Sequence, residues 1–252
     1  LILDFFEATT GSRMMCNYMR FGGVAADIPA RIHSVANLAN DRVRDMDTMD
    51  YLRGLIFERL PRFIEQLDTY LTTSEIVTNR CMGVGVLTRE DAIAYSAAGP
   101  VLRASGVPYD VRRADPYSIY PELEFDVAVR YHGDVYDRYL IRLDEIRESQ
   151  RILEQIFPRL QETTGQPFFA GRGGMYNPRV PAGEGYGRVE NPKGELGFYV
   201  VSDGGQNPWR YHVRAPSFIN LTPMEQMCKG HKIADVVAIL GSIDIVLGET
   251  DR

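Results

Sequence analysis

Cysteine, histidine and lysine are all scarce in this 252-residue chain, and each shortage excludes some chemistry. The three cysteines, Cys16, Cys81 and Cys228, stand far apart with no CxxC among them. That spacing provides no zinc ribbon, no self-contained iron-sulfur site and no disulfide framework, and it fits a reducing compartment. The four histidines, His33, His132, His212 and His231, include no HExxH and no i, i+4 pair. Each is read as a surface or hydrogen-bonded structural residue. GxSxG is absent, so Ser217 in APSF is no nucleophile elbow, although a dispersed Ser-His-Asp set stays open from sequence. No apolar run reaches the roughly 18 residues of a membrane span. The greasiest stretch, Ile233 to Leu247, is interrupted by Asp235, Gly241, Ser242 and Asp244. Excess positive charge is also lacking: 28 basic against 34 acidic residues give −6, which argues against a nucleic-acid partner. Only three of the basic residues are lysines: Lys193, Lys229 and Lys232.

What is present is ordinary for a globular protein, with 44% hydrophobic and 25% charged residues. The opening Leu1-Ile-Leu-Asp-Phe-Phe reads as the inside of a helix, without a charged leader or a small-residue cleavage site. A segment upstream of Leu1 is therefore expected. Leu1, Phe5, Ala8, Ser12, Met15 and Met19 fall on one helical face, with Thr9, Thr10 and Gly11 as weak helix formers inside it. Phe21-Gly22-Gly23 breaks that helix and lets a backbone or ligand come close. Residues 31–50 are polar and weakly periodic, an exposed extension. A second helix is expected from Asp50 to Leu71, kinked or started by Pro61. Thr88 N-caps a third that ends near Gly99-Pro100. Leu123, Phe125, Val127, Val129 and Tyr131 alternate as in a strand, and His132-Gly133-Asp134 turns out of it.

The clearest element is a long helix from Val135 through Leu160. Residues 165–187 read as a glycine- and proline-rich loop, and 194–201 with 209–214 as an antiparallel pair across Asp203-Gly204-Gly205. Lys232 to Leu240 forms a last helix, after which Ile243, Ile245 and Leu247 alternate with Asp244, Val246 and Gly248. The expected fold is α+β, mainly α: long antiparallel helices as a bundle core with a small peripheral β-sheet, one helical-core domain over 1–252. Within that strongly apolar terminus Asp244 lies between Ile243 and Ile245, so it is expected to be desolvated and either paired with an Arg or raised in pKa.

Four segments, from Arg20, Gly99, Arg188 and Gly241, are too irregular for periodicity to explain, and across and beside them run five motifs: RFGGVAADIP from Arg20, GPVLRASGVPYDVR from Gly99, VENPKGELGFY from Val189, RAPSFINL from Arg214 and LGSIDIVLGETDR from Leu240. In order and spacing they resemble the quinone-site large subunit of respiratory complex I, the D-type component of NADH-quinone oxidoreductase, across nearly the whole chain. Residues 31–50, read as an insertion, and the loop 165–187 depart from the pattern. That family is related to nickel-iron hydrogenase large subunits, which implies a hydrogenase large-subunit-like fold. A hydrogenase would need a C-terminal CxxC, and no cysteine follows Cys228.

The resemblance implies a peripheral-arm subunit of a proton-pumping enzyme. It would pack against a small subunit holding the terminal iron-sulfur cluster, with other peripheral-arm subunits and a membrane-arm subunit at the quinone entry as further partners. Such a complex uses NAD and reduces quinone on the cytoplasmic face of the cell membrane. By the same resemblance the terminal segment lines the quinone cavity, making Asp244, Val246, Leu247, Glu249 and Arg252 the quinone-binding candidates. Met15, Arg20, Gly22 and Gly23 match a loop near the partner's cluster, and Met15 stands where several relatives carry a His. No cofactor or metal is expected on this chain, and no residue is assigned as catalytic. The headgroup His, Tyr and their Asp would lie in the upstream segment. The alternative is a structural docking subunit of a hydrogenase-like or F420-type membrane redox complex.

Overall fold

A computed structural model describes residues 1–34, 44–163, 165–170 and 179–251, so Arg252 lies outside the described residues, as do parts of the 31–50 and 165–187 stretches. The chain is mainly helical with small antiparallel sheets, the α+β class its patterning implies. It forms two compact units: Leu1–Phe63 with Leu153–Tyr176, and Ile64–Ile152 with Asn177–Arg252.

In the first unit, helix α1 (Ile2–Thr10) stops where Gly11 turns left-handed at φ 77 and returns its N–H to the Glu7 carbonyl. The helical face expected through Met19 therefore ends at Thr10, because Thr9, Thr10 and Gly11 favour termination more than the apolar spacing favours continuation. Two short strands follow, β1 (Met19–Arg20) and β2 (Gly23–Val24), paired across Phe21-Gly22. Strands β3 (Arg31–Ser34) and β4 (Arg44–Asp47) pair antiparallel, Arg31 opposite Asp47. This corrects the exposed extension, since Ile32 is fully buried with Tyr51 and Leu55, and Leu1 and Phe5 pack on them. One apolar residue per strand, Ile32 opposite Met46, is too little for a periodic signal.

Helix α2 (Thr48–Gly54) is capped by Asp47, whose side chain accepts from the amides of Met49 and Asp50. The helical path then widens into a π turn, Leu55–Arg59, before α3 (Leu60–Leu67) and a second π turn, Asp68–Thr72. Pro61 has no N–H to donate, and the wide turn just before it, closed by Leu60 N–H to Leu55 O, absorbs the mismatch. Leu52 and Ile56 pack with Phe157 in this unit.

The second unit contains α4 (Glu75–Cys81), α5 (Arg89–Ala94), α6 (Gly99–Ala104) and α7 (Val111–Ala114). Thr88 caps α5 as expected, accepting from Asp91 N–H. That helix ends at Ala94, and Gly99-Pro100 starts a new one. Residues 123–131 form no strand: Leu123 and Phe125 are buried in alternation, but Asp126 N–H goes to Glu148 and Arg130 N–H to the Arg103 carbonyl, so no ladder forms.

Asp134 caps the long helix α8 (Val135–Glu162), 28 residues or about 42 Å, by accepting from Asp137 N–H. Its last residues, from Leu153, belong to the first unit. Within the second unit it runs antiparallel to the earlier helical stretch, since Asp68 pairs with Arg147 and Thr72 with Tyr139.

Strands β5 (Gly183–Asn191), β6 (Gly194–Ser202) and β7 (Arg210–Arg214) form one antiparallel sheet in sequence order. The expected β6–β7 pair is present. Strand β5 begins inside the stretch read as a loop, because Gly183, Gly185 and Gly187 occupy one face and erase the alternation that would mark it. The chain closes with α9 (Pro216–Leu221), α10 (Met224–Cys228), α11 (Ile233–Ile243) and α12 (Leu247–Asp251). The terminal alternation is thus a helix end, a bend and a further helical turn, not an extended strand. Leu87, Val101, Val135, Met227, Ile239 and Ile243 form the core of this unit.

The β5–β6 turn, Pro192-Lys193, sits directly on the start of α6. A Cβ on Gly194 (φ 135) would fall 2.6 Å from Ala98 Cβ, and one on Gly99 (φ 61) 2.5 Å from the Lys193 carbonyl. Asn220 stitches the two together, accepting from Ala98 N–H at 2.9 Å and donating to Ala98 O and Lys193 O at 3.2 Å each. Gly194→Ala is expected to lose about 2–4 kcal/mol through backbone strain and overpacking. Gly241→Ala, in a helix with open space around it, should be neutral or slightly stabilising. Denaturant midpoints of the two variants check the contrast.

Candidate functional site

The terminal candidates gather in the second unit around the end of α11. Asp244 is the C-cap of that helix, in left-handed conformation at φ 60, ψ 53. Its carboxylate pairs with Lys193 at the tip of the β5–β6 turn and lies 3.4 Å from Nε of Arg142 on α8. The pairing alternative holds, but the expected desolvation does not: the Asp244 side chain is 44% exposed. A helix end projecting its cap residue outward explains the difference, since the flanking Ile243 is buried while the chain turns at Asp244 itself.

Beyond the bend, Ser217 at the start of α9 anchors the last segment. Its hydroxyl donates to Glu249 Oε2 at 2.6 Å and accepts from Val246 N–H at 3.2 Å. Glu249 Oε1 is buried without a hydrogen-bond partner. Val246 and Leu247 are 45% and 67% exposed. The result is a half-open rim of two carboxylates and two apolar side chains, held from behind by cations. Arg252 lies outside the described residues.

Two arginines on consecutive turns of α8 support this rim. Arg138 is fully buried and donates to Ser242 Oγ, Gly133 O and Gly85 O, each at 2.8 Å. Burial pulls its guanidinium down to about 10, and the like charge of Arg142 adds to the shift. Burial also lowers Arg142, opposed by the charge of Asp244. Both stay protonated at neutral pH. Lys193, Arg142, Arg138 and Ser217 are not among the sequence candidates. One signal is available: Arg138 and Arg142 fall on the inward stripe of α8 beside Val135 and Ile141, where a charge needs a reason.

Met15, Arg20, Gly22 and Gly23 lie in the first unit. Met15 has φ 54 and is 92% exposed. Arg20 pairs with Gly23 across the β1–β2 turn, and Val24 N–H donates to Phe168 O at 3.2 Å, which fixes the hairpin base. Its tip is apolar and open, with Met19 85% exposed and Phe21 fully so. Among the described residues, no group of three or more His, Cys, Asp or Glu side chains is placed to hold a metal ion. None of their helices is long and apolar enough to cross a membrane.

Two histidines make hydrogen-bonding contacts within the second unit. His132 Nδ1 lies 3.1 Å from Asp137, and His231 Nε2 accepts from Gly85 N–H.

Fold and rim together define a mainly helical α+β protein with exposed apolar side chains after α11 and at the β1–β2 turn. The sequence matches, over residues 1–170 and 172–252, the family described as respiratory-chain NADH dehydrogenase, 49 Kd subunit, and the chain belongs to that family. It is 53% identical over 254 residues to the first of the D-type NADH-quinone oxidoreductase subunits of Roseiflexus sp. (strain RS-1). It is 50% identical over 260 residues to the second D-type subunit of Herpetosiphon aurantiacus, and 47% over 251 residues to the D-type subunit of a Dehalococcoides mccartyi strain. All of this chain is covered in each case, and it spans 62–63% of the length of those relatives.

Proposed function

We propose that the chain forms part of the quinone-reduction cavity in a peripheral-arm subunit of a proton-pumping NADH-quinone oxidoreductase. The observation that carries this reading is the match of the whole chain to relatives bearing that name. The rim at Asp244 is consistent with it. Two apolar side chains suit a hydrophobic ligand, and a carboxylate held between Lys193 and Arg142 supplies a polar anchor. In this reading the chain holds no redox cofactor: quinone is the substrate, the complex uses NAD, and the partner small subunit contributes the iron-sulfur cluster beside Met15, Arg20, Gly22 and Gly23. The exposed apolar tip at Met19 and Phe21 gives that partner a surface to cover. Other peripheral-arm subunits and a membrane-arm subunit at the quinone entry complete the assembly, held peripherally at the cytoplasmic face of the membrane.

Asp244→Asn tests the reading. In the assembled complex it is expected to lower quinone reduction about tenfold, roughly 1.4 kcal/mol of transition-state stabilisation, while NADH oxidation by an artificial acceptor stays unchanged. Unchanged quinone reduction would instead favour a docking subunit of a hydrogenase-like or F420-type redox complex.

A further inference from the structure

Asp244 adopts a backbone conformation that non-glycine residues rarely take, and it does so at the residue where the chain leaves the core for the rim. Its own amide gives only a 3.2 Å bond to Gly241 O. The other constraints come from α8. Arg142 Nη2 donates to the Ser242 and Ile243 carbonyls at 2.7 and 3.3 Å, the last carbonyls of α11, which have no partner within the helix. The same guanidinium presents Nε to Asp244 and is itself steadied by Nη1 donating to Arg138 O at 2.8 Å. One turn back, Arg138 holds Ser242 Oγ, and that hydroxyl donates to Ile239 O at 2.7 Å. One guanidinium thus bonds two carbonyls through Nη2 and ion-pairs through Nε with the carboxylate that follows them.

We propose that Arg142 is a positioning residue for quinone binding: by gripping the Ser242 and Ile243 carbonyls together with the Asp244 carboxylate, it sets the left-handed bend that aims Val246, Leu247 and Glu249 at the ligand. This rests on the reading that the terminal segment lines the quinone cavity. It goes further in assigning the geometry of that segment to a residue on another element, distant in sequence, that does not touch the ligand. The cation at Lys193 cannot take over, because an ammonium on a two-residue turn reaches the carboxylate but is not seen to bond the α11 carbonyls. The orientation of the rim therefore depends on a guanidinium at position 142, not simply on a positive charge there.

The test is steady-state kinetics of the assembled complex in membranes, with a short-chain quinone varied and an artificial electron acceptor as the control for assembly. Arg142→Met is expected to raise the quinone KM about tenfold with a smaller change in kcat and an unaltered acceptor rate. Arg142→Lys keeps the charge but loses the fork, and is expected to raise KM at least about threefold. If Arg142→Met fails to accumulate, Arg142→Lys alone decides. Wild-type KM and kcat in Arg142→Lys overturn the proposal, as does a fall in kcat with KM unchanged. Asp244→Asn measured alongside separates the two levels. If it leaves quinone kinetics unchanged, the cavity reading itself fails. If it changes them while neither Arg142 variant does, the cavity reading stands and the positioning role is lost.

Discussion

Arg103→Leu is expected to lower the stability of the chain by about 3–5 kcal/mol, the cost of removing one partner from a buried ionic cluster. Arg103 is 3% exposed. Its guanidinium donates to Glu145 at 2.8 Å, to Glu190 at 2.9 Å and to the Tyr109 carbonyl at 2.9 Å, with Asp110 at 3.9 Å. Asp110 would keep its own pair with Arg112 at 2.6 Å. Glu190 would keep only Val111 N–H at 3.1 Å, a single neutral donor for a buried charge. Burial already holds Glu190 above the ordinary carboxylate range, and attraction to Arg103 is the chief opposing influence. Without Arg103 the group therefore moves higher still.

The sign of the pH dependence follows. Below the unfolded carboxylate pKa of about 4.3 both states bind the proton and Glu190 adds nothing. As pH rises past that value the unfolded chain releases its proton first, and stability falls until folded Glu190 ionises as well. The gap between variant and wild type should thus be wider at pH 7.5 than at pH 5 in denaturant titrations. Adding Glu190→Gln should recover part of the loss. A double variant less stable than Arg103→Leu would show that the cluster is not held together by this charge pairing.

Much of this architecture is legible in sequence because it rests on periodicity and capping. The apolar stripe of α8, the Thr88 cap and the β6–β7 pair each depend on residues close in the chain. Sequence reasoning fails where the decisive partner lies far away. Leu123 and Phe125 alternate as in a strand, yet their segment spends its amides on Glu148 and the Arg103 carbonyl instead of a neighbouring strand. Glycines on one face hide strand β5, and the apolar spacing from Leu1 overstates the first helix because Gly11 terminates it. The rim shows the same division. Asp244 is identifiable as a carboxylate in apolar surroundings, and its pairing with an Arg is one of the two expected outcomes. That the partners are Lys193 and Arg142, 51 and 102 positions away, depends on the fold alone.

On the proposed reading, the largest functional effect is expected in a redox titration of the partner's cluster. If the partner's cluster lies beside the β1–β2 hairpin, as proposed, its midpoint potential in the assembled wild-type complex is expected to stay flat between about pH 6 and 8, because Met15 offers no titratable group there. Met15→His should restore a dependence approaching ~59 mV per pH unit, the one-electron, one-proton limit. The backbone is suited to the exchange. Met15 lies at φ 54, a region in which His is among the enriched non-glycine residues, and its side chain is 92% exposed, so the substitution needs no repacking within the chain. An imidazole at this position would hold its proton more tightly when a neighbouring cluster is reduced, so the potential would fall as pH rises between its two pKa values. On that proposal a methionine at this position would leave the cluster's potential independent of pH, which would suit a low-potential quinone such as menaquinone. Wild-type complex with a sloping potential would sink the idea outright. A flat line in Met15→His would place the residue too far from the cluster, removing this hairpin from the partner's site while leaving the reading of the Asp244 rim intact.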